Sequence, residues 1–340
     1  MSLNDTPASD PNSLYPYRAN LETLLNFSEE VLKNRLLTEG WLKDTANQMA
    51  VTDLAGANIG LKDRATRSAA SKLMNLVGRP HLDIFHQGRL ICPNVALRIK
   101  LIPSSNQFAC ISPPPAAQGV QEQFKVVIQN VTFMMRIKKL ADSAHLAICK
   151  TMLTKTIKLP YAKVQVKHLT IPANVTTQDF DGIYDGALPD LVVVGLVADE
   201  DFAGHYNRNP FNFQAFNVNR MELMRNGVRR PTYGYTPNFT TKQYNEDYTT
   251  LLTQLKLNKG DKCLALTPEE WANGYTLYAF QVTDGPIGSG ANSPRSAIST
   301  GKLRLSIGFS AANTTSIKVI LLSQSVGFID INHYHNVVAT

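Results

Sequence analysis

The chain has 340 residues, of which 44% are hydrophobic and only 18% charged, with a formal net charge of +7. That length suffices for one large domain or two ordinary ones with a real core, and so diffuse a charge permits contact with a polyanion without demanding it, since strong electrostatic DNA readers usually concentrate their charge. No apolar run reaches the length of a membrane span, and the opening MSLNDTPASDPNSLYPY has neither a basic nor an apolar signal region, so a soluble, unsecreted chain is expected.

After Pro7, Pro11 and Pro16, the stretch YRANLETLLNFSEEVLKNRLLTEGWL places Leu21, Leu24, Leu25, Val31, Leu32 and Leu36 at spacings of three and four. This predicts a helical region broken near 26–28. Residues 44–67 are polar, with Gly56 and Gly60, and read as a surface excursion. Strand patterns follow at 81–85 (HLDIF), 95–102 (VALRIKLI), 108–111 (FACI) and 124–140 (FKVVIQNVTFMMRIKKL). A helix over 142–153 closes this half, which places a domain boundary near 155, between a first unit at 1–155 and a second at 156–340.

The second half reads as strands at 163–171 and 191–197, the latter LVVVGLV, apolar on both faces and hence covered on both. NPFNFQAFNVN, at 209–219, alternates rings and amides and changes register at Ala215 and Phe216, which predicts a bulged strand with Phe211, Phe213, Phe216 and Val218 in the core. The amides of Asn212, Gln214, Asn217 and Asn219 are expected to satisfy neighbouring loop backbones or a second subunit, with plain exposure to water as the alternative. Tyr244, Tyr248, Leu251, Leu252 and Leu255 form one helical face, and strands follow at 275–282, 302–309, 316–323 and 326–331. LRIKLIPSSNQFACI (97–111) echoes LRLSIGFSAANTTSIKVIL (303–321), each an alternating strand, a turn and a second strand. Many short strands and little βαβ alternation give an all-β expectation of two tandem jelly-roll sandwiches with short helices in loops.

In order along the chain, YPYRANLETLLNF and WLKDT, LRIKLIPSSNQFACI, NPFNFQAFNVN, the PNF at 237–239, WANGYTLYAFQVT and GKLRLSIGFSAANTTSIKVILLS resemble the hexon-like capsid proteins of Polinton (Maverick) elements and adintoviruses. The resemblance runs from about Leu14 to the C-terminus. It implies a double jelly-roll major capsid protein, trimerising into pseudo-hexagonal capsomers that tile an icosahedral shell around double-stranded DNA. The implied partners are copies of itself, minor or penton capsid proteins and packaged DNA contacted non-specifically; the implied location is the virion, assembled in the nucleus or cytoplasm. Family members carry opening strands before the segment matching YPYRANLETLLNF, so a first sandwich that begins here is expected to be incomplete.

No catalytic constellation accompanies these patterns. Phosphate-loop, dinucleotide, HExxH and GxSxG signatures are missing, so no enzyme, no catalytic residue and no cofactor are expected. His333 and His335 would share a strand face and could meet His205, but no further ligand is near in sequence, and no metal is expected. The acidic stretch DFDGIYDG (179–186) lacks calcium-loop spacing and reads as a turn. The basic clusters MMRIKK (134–139) and RNGVRR (225–230) read as solvated or intersubunit charge, with inner-shell DNA contact as the rival. Cys92, Cys110, Cys149 and Cys263 lack CxxC spacing and are expected reduced. The alternative function is a carbohydrate- or receptor-binding sandwich, a minor capsid or lectin-like module, for which Trp41 and Trp271 are the available tryptophan platforms.

Overall fold

The computed structural model describes residues 1–7, 14–86, 90–93, 95–113, 119, 123–258, 263–283, 298–332, 334 and 336–339. In chain order the first half holds β1 (Ser2–Leu3), β2 (Thr6–Pro7), α1 (Tyr15–Asn26), α2 (Glu29–Lys33), α3 (Ile59–Ser68), β3 (Leu97–Arg98), α4 (Asn106–Ala109) and α5 (Asp142–Thr154). The second half holds β4 (Ile157–Ile171), β5 (Thr177–Ala187), β6 (Leu191–Ala198), α6 (Asp199–Phe202), β7 (Val218–Arg225), β8 (Val228–Tyr235), α7 (Asn245–Gln254), α8 (Pro268–Ala272), β9 (Leu277–Gln281), β10 (Thr300–Phe309), β11 (Ile317–Ile331) and β12 (Val337–Ala339).

The second-half strands form two antiparallel sheets, β4-β11-β6-β9 and β5-β10-β7-β8, with β12 continuing the first sheet beside the far end of β11. β7 and β8 make the central hairpin, and outward from it β6 pairs with β9, β5 with β10 and β4 with β11. This nesting is one long antiparallel ribbon folded over on itself, with the further pairs β7–β10 and β6–β11 closing the roll. The result is an eight-stranded jelly roll. The hairpin is set by Asn226 and Gly227, both at positive φ (50° and 82°), the Asn-Gly combination that matches strand twist.

The core lies between the sheets. Val192, Val193, Val194, Leu196 and Val197 of β6 are buried, as are Leu303, Leu305 and Ile307 of β10 and Val319 to Leu322 of β11. Gly195 interrupts β6 because Phe213 sits on its backbone: a Cβ there would lie 2.6 Å from the Phe213 ring. α7 covers the roll with Tyr248 and Leu251, and α8 starts with a capping box in which Thr267 Oγ1 accepts from the Glu270 amide at 3.2 Å.

The first half departs from its strand patterns. α1 ends at Asn26 and α2 starts at Glu29, where the break was expected, and α5 occupies the predicted helix. Residues 83–86 of the expected 81–85 strand form a 3₁₀ turn, 95–102 contributes only β3, and 108–111 overlaps α4. Residues 124–140 lie without strand partners. Among the described residues the first-half sheet is the small β2-β1-β3. The echo between 97–111 and 303–321 therefore holds in sequence and not in structure: the second copy is β10 and β11, the first is a two-residue strand and a helical turn. Alternation sets which face of a strand is apolar; the ladder itself needs a neighbouring chain.

Two corrections fall in the second half. DFDGIYDG is not a turn but most of β5, held to β10 by a bulged ladder. NPFNFQAFN is not a strand: the ladder starts only at Val218, after Phe216 and Asn217 adopt positive φ of 47° and 54°.

Candidate assembly surfaces

The ring-and-amide stretch is a junction between the two halves. Phe213 and Val218 are fully buried, and Phe211 and Phe216 pack half-buried against the same core. The Phe213 amide donates to Gly274 O at 3.0 Å and its carbonyl accepts from the Thr276 amide at 3.0 Å, which pins the segment beneath β9. Asn209 is buried. Its Oδ1 accepts from the Phe211 amide at 3.0 Å and its Nδ2 donates to Asp44 Oδ2 at 3.1 Å, a side-chain contact to a first-half loop made by an amide outside the four expected to make such contacts. Asp44 also accepts from Arg64 at 2.5 Å, and its carbonyl accepts from the Tyr275 hydroxyl at 2.7 Å. The excursion 44–67 thereby clasps the roll. Asn217 and Asn219 remain exposed.

A second junction is aromatic. Tyr17 of α1 stacks on Phe202 of α6 at 5.4 Å and meets Phe211 edge-on at 5.5 Å, while Phe108 of α4 meets Phe211 at 5.6 Å. Gly204, at φ +85°, makes room for α4, since a Cβ there would come within 2.5 Å of Phe108 Cα. Burial drives the Tyr17 hydroxyl pKa upward, with Asp201 adding to it.

The third junction is ionic. Arg18 Nε donates to Glu22 Oε1 at 2.9 Å one helical turn away, Arg18 pairs with Asp83, and its Nη1 reaches Val164 O of β4 at 3.3 Å. Glu22 Oε2 lies 2.6 Å from His81 Nδ1, and the Val164 amide donates to Asp83 Oδ1 at 3.3 Å. Burial opposes ionisation of Glu22, but the His81 hydrogen bond and Arg18 outweigh it and hold its pKa below the usual range. Burial lowers the His86 pKa. Glu22, His81 and His86 bring ligand atoms within 4.8 Å of one another, yet both Glu22 oxygens are engaged and Arg18 supplies the cation. The cluster fixes α1 and the 83–86 turn to β4. Its one signal in the sequence is an Arg and a Glu four apart in α1, a spacing that brings the two side chains together on one helix face.

The residues singled out in the sequence are dispersed. His205 is exposed and its Nδ1 accepts from the Asn207 amide at 3.2 Å; His333 and His335 lie outside the described residues. Trp271 is fully buried, donating from Nε1 to Leu277 O at 2.7 Å, and so cannot present a face to a sugar; Trp41 packs half-buried against the core. RNGVRR is the β7–β8 turn, with Arg225 donating to Ser299 Oγ at 3.1 Å and Arg229 3.4 Å from Glu222. The cysteines are unpaired. No helix among the described residues is long and apolar enough to cross a membrane.

What remains open to a partner is a set of strand edges and one long apolar segment. β5 and β8 end their sheet, and β8 is blunted by Pro231, which has no N–H, and by Arg229 and Arg230. Residues 124–140 expose Val126, Val127, Ile128, Val131, Met134 and Ile137, touching the rest of the chain through a Tyr206 hydroxyl bond to Phe124 O at 3.0 Å and a Phe85–Phe133 ring contact at 5.6 Å. Exposed apolar runs of this length mark interaction surfaces.

No family model matches the chain. It is 20% identical over 286 residues to the uncharacterized protein F54H12.2 of Caenorhabditis elegans, an alignment covering 83% of this chain and 65% of that one, so the chain spans just under two thirds of this curated relative. Among solved structures it is similar to a chain of the Sputnik virophage (12% identity, TM-score 0.34, 54% of this chain and 39% of that one). It is similar also to a chain of the PBCV-1 virus capsid (10% identity, TM-score 0.32, 58% and 54%) and to the mavirus major capsid protein (10% identity, TM-score 0.30, 54% and 41%).

Proposed function

We propose that this chain is a hexon-like capsid protein of the Polinton and adintovirus kind, built of an incomplete first jelly roll at 1–155, lacking its opening strands, and a second at 156–340, whose activity is assembly. On this reading three copies form a pseudo-hexagonal capsomer, capsomers tile an icosahedral shell with minor or penton proteins, and double-stranded DNA is packed inside. The observation that carries it is a complete eight-stranded roll joined to a half whose segment 124–140 has no strand pairing among the described residues and leaves its apolar side chains uncovered. A free-standing monomer would leave that surface in water, whereas assembled subunits bury thousands of Å² in apolar-centred interfaces. The ordered resemblance of the sequence from Leu14 onward supports the same reading. Light scattering on purified full chain is expected to give the mass of a trimer; a monomer persisting at high micromolar concentration overturns the proposal.

A further inference from the structure

We propose that residues 136–140 of one copy add as an antiparallel strand to the outer edge of β5 in a second copy, so that neighbouring subunits share one sheet. The inference deepens the assembly reading above and rests on it.

β5 ends its sheet, with β10 as its partner strand among the described residues, so the backbone groups on its other side face outward. That edge is acidic. Asp179 and Asp181, two apart and therefore on one face, both lean on Arg304, at 2.7 and 3.3 Å, and Asp185 on Lys302 at 3.3 Å. β5 itself carries these three carboxylates and no Lys or Arg; the cations that face them stand on β10 and, for Asp179, also on β7 at Arg220.

The donor segment is its complement. Val131, Phe133, Met135 and Ile137 alternate with Thr132, Met134, Arg136 and Lys138, the pattern of a strand with one buried face, yet Val131 is 58% and Ile137 78% exposed. Arg136, Lys138 and Lys139 are exposed and make no ion pair among the described residues.

The spacings match. With Arg136 opposite Asp181, an antiparallel register puts Lys138 opposite Asp179, and between them Ile137 opposite Phe180, a half-buried ring packed at the rim of the core. Opposite charges then meet on the outer face, and on the inner one Ile137 covers Phe180 while Lys139 falls beside Gln178 at the end of the match. The match covers 177–181, the part of β5 before Gly182, whose φ of +64° marks the bulge. The segment's own chain holds it instead at Phe124 and Phe133, through Tyr206 and Phe85. The contact is heterologous, each copy giving a strand and receiving one, and such contacts close into rings when the rotation permits, as a three-fold capsomer requires.

A charge swap tests this on the full chain. Asp179→Lys with Asp181→Lys, and separately Arg136→Asp with Lys138→Asp, should each lower the association constant at least tenfold in sedimentation velocity, while the quadruple variant, whose donor and edge are both reversed, should recover assembly. Single-sided variants that assemble like the wild type overturn the interface while leaving self-assembly standing; a wild type that stays monomeric defeats the reading beneath it. Should a variant misfold by circular dichroism, hydrogen exchange on the wild type decides. Amides of 177–181 and 136–140 should gain protection together as concentration rises, and exchange that is concentration-independent in both overturns the proposal.

Discussion

Leu303, Leu305 and Ile307 in β10 alternate no more regularly than Val131, Phe133, Met135 and Ile137, yet the first set is fully buried and the second exposed. β10 is bonded by β5 on one side and β7 on the other. The 131–137 segment has no ladder. Each methylene removed from water contributes on the order of 0.8 kcal/mol, so comparably apolar side chains hold the fold in one region and leave a surface to be covered in the other. The difference lies in what is available to pair.

Four measurements break or sharpen this contrast. Trp271→Ala empties a site packed by Tyr244, Tyr248 and Tyr278, and should cost about 3–5 kcal/mol in urea denaturation, whereas Ile137→Ala should stay within about 0.5 kcal/mol in the monomer. Equal effects would mean that 131–137 is as much core as the roll. Asp83→Ala removes a partner of buried Arg18 and the acceptor of the Val164 amide, and should cost about 3 kcal/mol. Hydrogen exchange should locate that loss in α1, with β6 and β11 still protected; a uniform loss would show that the halves unfold as one.

Gly195→Ala drives a methyl to 2.6 Å from the Phe213 ring and 2.9 Å from Leu277, for an expected loss of about 1–3 kcal/mol that Phe213→Leu in the same chain should partly restore. Non-recovery would place the strain elsewhere in β6. The smallest effect concerns pH. Burial pushes the Asp247 carboxyl up to about 6, from 3.8 in the unfolded chain, so between those values the folded chain holds a proton that the unfolded chain has released. This contribution is complete below about pH 4, falls as pH rises and is gone above about 6. Asp247→Asn keeps an oxygen to accept from the Thr236 amide and should flatten the pH 4–6 slope of the melting temperature; an unchanged slope would assign it to another group.

Much of the roll was legible beforehand. The apolar run of β6, the α7 face and β10 each lie where period and composition put them, because long patterned segments carry their burial with them, while β11 joins into one the two strands expected at 316–323 and 326–331. β5 was hidden by its Asp and Gly residues, which suggest turns and here belong to a charged sheet edge. The junctions were less visible. Asn209 with Asp44, and Arg18 with Asp83, join residues far apart in sequence, and nothing local distinguishes them from surface polar groups.

By itself the sequence determined the all-β character, the helix break near 26–28 and the faces that seek burial, since each follows from backbone preference or side-chain period within a few residues. Tertiary structure alone decided which patterned segments became sheet, which polar residues were buried as paired junctions and which edge stayed open. Those outcomes depend on partners brought together from distant positions, and a strand's hydrogen bonds are made by its neighbour.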